Sequence, residues 1–238
     1  MPARLLLIED DASIARFVEM ALEDLPGVEL QVVTHLAQAR TALSGGGWQL
    51  VISDLMLPDG SAEALLAEGR AQGADAPPWV VFSAGLQPER LLALQALGVA
   101  RTLRKPVPLA QLLSTVTELL PRRAAAAGPA PAPAPSAPAT LQTHFGGDLD
   151  LFERFRTGCL ARFADDIAQG DAAIAASDTE ALRRVAHGLK AVLELLGHPD
   201  LSRQALALED AATHGSALQA AGWAVLRRGL QALRQAAH

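Results

Sequence analysis

The chain has 238 residues, half of them hydrophobic and 19% charged, enough for one large soluble domain or two ordinary ones with buried cores. Its formal charge of −6 argues against a protein whose main work is to grip nucleic acid, which needs a concentrated basic surface. A single cysteine, Cys159, excludes an internal disulfide framework and a zinc cage of several thiolates, and reads as a small core residue.

The first 120 residues alternate short apolar runs of β type with amphipathic stretches. Arg4–Ile8, Glu29–Val33, Leu50–Ser53, Trp79–Phe82 and Arg101–Leu103 read as five strands. Near-continuous apolar runs such as LLLI and WVVF suit a parallel sheet covered on both faces, and right-handed crossovers make it a doubly wound α/β fold. In such folds the ligand site lies beyond the carboxyl ends of the strands, where the winding reverses. There the sequence places Glu9 and Asp10 after the first strand, Asp54 at the end of the third, Ser83 after the fourth and Lys105 after the fifth. Three carboxylates in one crevice repel each other, which a hard cation such as Mg²⁺ would relieve. With a compact ammonium and a hydroxyl beside them, these are the parts for phosphoryl transfer onto a carboxylate. Asp10 and Asp11 would also suit the cap of a helix starting near Ala12, and Asp59-Gly60 reads as an ordinary turn.

From Pro121 to Thr140 the composition changes to six prolines and nine alanines in twenty positions, which reads as a linker. Repeated proline cannot hold a helix, so the uncharged run from Ala124 to Gly147 is not a membrane span. At roughly 3 Å per residue in polyproline geometry the twenty-residue linker would reach about 60 Å. The expected domains are therefore 1–120, with a formal charge of −6, and 141–238, with −2.

The second domain is rich in Ala, Leu, Arg and Glu, and reads as helices near 149–176, 179–196, 200–213 and 217–236. Short breaks at Ser177-Asp178, Gly197-His198-Pro199 and His214-Gly215-Ser216 predict an all-α four-helix bundle. On the second of these helices His187 and Lys190 stand three apart on one face, a nucleophile with a cation one turn away. Ala191 is small and would let a partner approach that face, while Leu189, Val192, Leu193 and Leu196 turn to the core. His35, His144, His198, His214 and His238 read as turn, terminal or surface residues, and Trp48, Trp79 and Trp223 as core or boundary anchors. The chain has 18 arginines and two lysines, and those two, Lys105 and Lys190, fall beside the two candidate acceptors.

Residues 1–120 resemble the receiver domain of two-component response regulators. The resemblance implies that Glu9 and Asp10 are the metal-binding acidic pair, Asp54 the phosphoacceptor, and Met56 a residue lending its backbone carbonyl to Mg²⁺. It further implies that Ser83 is the switch hydroxyl, Lys105 the phosphate-contacting lysine, and Pro106 the proline joined by a cis bond. Thr102 stands where the family commonly has a switch aromatic, so an aromatic-coupled output is not expected. The segment from His187 to Gly197 resembles the histidine phosphotransfer signature, with His187, Leu189, Lys190 and Gly197 at the family spacing and Ala191 in place of the usual glycine. LALED at 206–210 falls where that family has a Leu-Glu pair on the next helix.

These resemblances imply a phosphorelay protein. Asp54 takes a phosphoryl group from a sensor histidine kinase, and His187 exchanges one with a partner receiver. Neither a P-loop nor the nucleotide boxes of sensor kinases is present, so the chain is expected to use no ATP and to be a signalling intermediate rather than an enzyme. No direct nucleic-acid contact and no membrane insertion are expected. No basic start, apolar stretch and cleavage site open the chain, and the expected location is cytoplasmic. The alternative is a phosphorylation-switched regulator whose helical domain is a binding module and whose His187 carries no phosphate. A hydrolase with an aspartate nucleophile is disfavoured, since Met56 stands where its second aspartate belongs.

Overall fold

A computed structural model describes residues 2–23, 25–73, 75–83, 87–120, 139–215 and 218–236. By their contacts they form two compact units, one of residues up to 120 with 143–147, the other of 139–142 with 148 onward. Residues 121–138 of the predicted 121–140 linker lie outside the described residues.

In the first unit, five parallel strands lie in the order β2-β1-β3-β6-β7: β1 (Ala3–Ile8), β2 (Val28–Val33), β3 (Leu50–Asp54), β6 (Trp79–Ser83) and β7 (Val99–Arg104). A small antiparallel pair, β4 (Met56–Leu57) and β5 (Gly60–Ser61), follows β3. The intervening helices are α1 (Ala12–Glu23), α2 (Leu36–Ser44), α3 (Glu63–Ala67), α4 (Pro88–Ala96) and α5 (Leu109–Leu119). Burial explains the apolar runs. Leu5 to Ile8 are consecutive and completely buried, and every residue of β3 and β6 is buried, because helices cover both faces. The edge strand β2 is buried fully only at Val33. The observed sheet is the predicted doubly wound one, and its winding reverses between β1 and β3.

The second unit is helical: α7 (Leu149–Ala176), α8 (Thr179–Leu195), α9 (Pro199–Thr213) and α10 (Gln219–Gln235). Each packs on two neighbours, closing a four-helix ring. Helices α7 and α8 start where carboxylates accept free amides, Asp148 from Leu151 at 2.9 Å and Asp178 from Ala181 at 2.9 Å. The Ser177-Asp178 break appears as predicted, with Ser177 left-handed at φ 53°. Phe155, Phe163, Leu193, Leu226 and Leu230 fill the core, together with Cys159 and Trp223. One helix was not anticipated. α6 (Ala139–Phe145) begins inside the stretch read as linker, and its Phe145 is buried in the first unit, edge-on to Phe17 at 5.6 Å between centroids. No described helix is long and apolar enough to cross a membrane.

Candidate functional site

At the switch point of the sheet the predicted residues come together. One carboxylate oxygen each from Glu9, Asp10 and Asp54 lies within 4.8 Å of the others. Lys105 enters from the end of β7, its Nζ 2.7 Å from Glu9 Oε2 and 2.8 Å from Asp54 Oδ2, with all three side chains buried. The second Asp54 oxygen accepts the amides of Leu55 at 2.6 Å and Met56 at 3.3 Å. Ser83 ends β6, is buried, and accepts the Lys105 amide on its carbonyl at 2.6 Å, which extends the β6–β7 ladder as far as the lysine. The Lys105-Pro106 bond is cis.

The two uses foreseen for the acidic run fall on different residues. Asp11 is the helix cap, accepting Ser13 at 2.8 Å and Ile14 at 3.1 Å, which leaves Asp10 for the crevice. Burial pushes Glu9 up to about 8, with Lys105 pulling it down and Asp54 adding to the rise. Burial and then the Asp54 charge also raise Asp10. Lys105 is raised despite its burial, because Asp54 and Glu9 outweigh the desolvation. Carboxylates raised by burial and by one another suit a hard divalent cation with oxygen ligands, so the donor set fits Mg²⁺.

The second unit places His187 and Lys190 together on α8, half-buried, but with a third group between them. His187 Nδ1 lies 2.6 Å from Glu209 Oε1, and Lys190 Nζ lies 2.6 Å from Glu209 Oε2, both reaching the same carboxylate on α9. Burial works to raise Glu209, but the hydrogen bonds and charges of His187 and then Lys190 outweigh it and hold the carboxyl at about 2. An ionised carboxylate only accepts, so the His187 proton toward it sits on Nδ1. Ala191 is buried in the bundle rather than open to a partner. Ser202 on α9 donates to the Lys190 carbonyl at 2.9 Å in the same seam.

Two residues of these surroundings escaped the sequence. Glu209 had a signal in the Leu-Glu pair of LALED but no assigned role. Asp59 looked like half of a turn dipeptide, yet its carboxylate accepts Leu36 at 2.7 Å and Ala37 at 3.0 Å, capping α2. Thr102 is half-buried on β7.

The model of the response regulator receiver domain matches residues 5–117, and that of the Hpt domain matches residues 154–236. Among curated proteins, the swarming motility regulation protein RssB of Serratia marcescens is 37% identical over 112 residues, 47% of this chain and 50% of that protein. The sensory/regulatory protein RpfC of Xanthomonas campestris pv. campestris is 29% identical over 210 residues, 81% of this chain and 28% of that protein. The chain thus spans half or less of the length of these relatives. Among solved structures, the chemotaxis response regulator CheY4 of Vibrio cholerae covers 50% of this chain and all of its own, at 24% identity and a TM-score of 0.46. Residues 5–117 belong to the response regulator receiver family and residues 154–236 to the Hpt domain family, two modules on one chain.

Proposed function

We propose that this chain is a phosphorelay intermediate with two acceptors, Asp54 and His187. The observation that carries the reading is a pair of clusters, buried at Asp54 and half-buried at His187, each bringing a candidate acceptor together with one of the chain's two lysines. At the first, Glu9, Asp10, Asp54 and the Met56 carbonyl would hold Mg²⁺, which when bound supplies positive charge to the transferring phosphoryl group.

The chain's own groups do the rest. The amides of Leu55 and Met56 fix one Asp54 oxygen, so Oδ2 is the nucleophile. Oδ2 attacks the phosphorus of a kinase phosphohistidine in line, the P–O bond forms as the P–N bond breaks, and the imidazole leaves with the electron pair. Lys105, already on Oδ2, passes to an oxygen of the arriving group, and the Ser83 hydroxyl donates to another.

At the second acceptor Glu209 keeps the proton on His187 Nδ1, which puts the nucleophilic lone pair on Nε2. The Nε2–P bond forms as the acyl phosphate P–O bond of a partner receiver breaks, and Glu209 balances the positive charge the ring acquires. Lys190 rests on Glu209 and lies one turn from His187, within reach of the new phosphoryl oxygens. Sensor histidine kinase and partner receiver are the proposed partners, and a cytoplasmic location goes with them.

The first site is tested by labelling with a small phosphodonor in Mg²⁺. Wild type acquires a base-labile acyl phosphate and Asp54→Asn acquires none. Chelating Mg²⁺ abolishes the label, whereas labelling indifferent to metal would sink the acidic-pocket reading.

A further inference from the structure

The segment leaving Asp54 buries Leu55, Leu57 and Ala62 in the core and exposes Pro58 to Gly60 between them. It makes the two-residue strands β4 and β5 and closes when the Ala62 amide meets the Leu55 carbonyl at 2.9 Å. A hairpin that short is marginal by itself. Yet it carries the Leu55 and Met56 amides that grip Asp54, and the Met56 carbonyl that the proposed metal site needs. Its outer end is tied down elsewhere. Asp59 accepts the amides of Leu36 and Ala37, while His35, which precedes α2, provides no side-chain cap of its own. Gly60 completes the tie at φ +136°, so close to α2 that a Cβ there would stand 3.0 Å from Leu36 Cδ1. Burial opposes ionisation of Asp59, but the two amides prevail and keep its carboxyl below the ordinary range.

We propose that Asp59 is a positioning residue for the Asp54 pocket: by capping α2 from the far end of the loop, it fixes the backbone of Leu55 and Met56 against the phosphoacceptor. The inference rests on the reading of that pocket as a Mg²⁺ site. Residues that orient a ligand from behind typically account for 10–100-fold in metal affinity, so Asp59→Ala weakens Mg²⁺ binding about tenfold. Asp59→Asn keeps one good acceptor and weakens it about threefold. Arg40→Ala removes a different tie of α2, the exposed ion pair to Glu68 at 2.8 Å, and leaves Mg²⁺ affinity unchanged.

The test is calorimetric titration of Mg²⁺ into the full chain for wild type and these variants, well below each melting temperature. The graded loss at Asp59, with Arg40→Ala unaffected, supports the proposal. Mg²⁺ affinity unchanged in Asp59→Ala, or an equal loss in Arg40→Ala, overturns it and leaves the metal site standing. Should Asp59→Ala not fold, an unchanged affinity in Asp59→Asn overturns it alone. Wild type that binds no Mg²⁺ overturns both.

Discussion

A glutamate holds each of the two lysines, Glu9 on Lys105 and Glu209 on Lys190. An ammonium is a compact charge that can turn from one oxygen to another, which the wider guanidinium fork does less readily, and this fits a group that must pass from a resting carboxylate to a phosphoryl oxygen. Glu209 also fixes the His187 tautomer. Glu209→Gln keeps the shape of the side chain but removes the charge that steadies the imidazolium and the preference for Nδ1–H. It is expected to slow phosphoryl transfer from a partner receiver to His187 by about 10–100-fold, measured as the rate of alkali-stable labelling. A rate equal to wild type would mean that the carboxylate only ties the two helices together. The candidate acceptors are legible in the sequence because each stands at a recognisable end or face: Asp54 closes an apolar run, and His187 lies three residues from a lysine on an amphipathic helix. Asp59 and Glu209 are not, since their partners are 23 and 22 residues away and meet them only once α2 and α9 have packed.

At the scale of elements, the α8–α9 seam is held by a pH-dependent contact. The carboxyl of Glu209 lies at about 2 in the folded chain against an ordinary 4.5, so the folded state releases that proton more readily than the unfolded one. The stability this contributes is complete above the ordinary carboxyl range and is lost as pH falls from about 4.5 toward 2. Urea unfolding of wild type and Glu209→Gln at pH 6, 4 and 3 should show a difference that shrinks with acid. Packing between α7 and α10 allows a second forecast. A Cβ on Gly170 would overlap the ring of Trp223, whose indole is fixed by its hydrogen bond to Asp171 at 2.8 Å, so Gly170→Ala costs about 1–3 kcal/mol by overpacking. Gly158→Ala, on the same helix where nothing lies within 4 Å, is neutral or slightly stabilising by about 0.5–1 kcal/mol. Denaturant midpoints separate the two. The long helices and five strands could be read from their periodicity, but α6 could not: seven residues after a proline-rich stretch give too few turns for a pattern, and Phe145 found its place by burial.

At the scale of the whole molecule, a receiver and an Hpt domain lie on one chain, and on the proposed reading they carry two phosphoryl acceptors of different chemistry, an acyl phosphate at Asp54 and a phosphoramidate at His187. Acid destroys the second and alkali the first, so one labelling experiment distinguishes them. The most direct measurement follows radiolabel into wild type, Asp54→Asn and His187→Gln from a phosphorylated sensor kinase in Mg²⁺, with a phosphorylated receiver as donor for the second site. A base-labile label lost in Asp54→Asn and an alkali-stable, acid-labile label lost in His187→Gln are the predicted result. Label at Asp54 with none reaching His187 from any receiver would contradict the relay and leave the helical unit as a binding module.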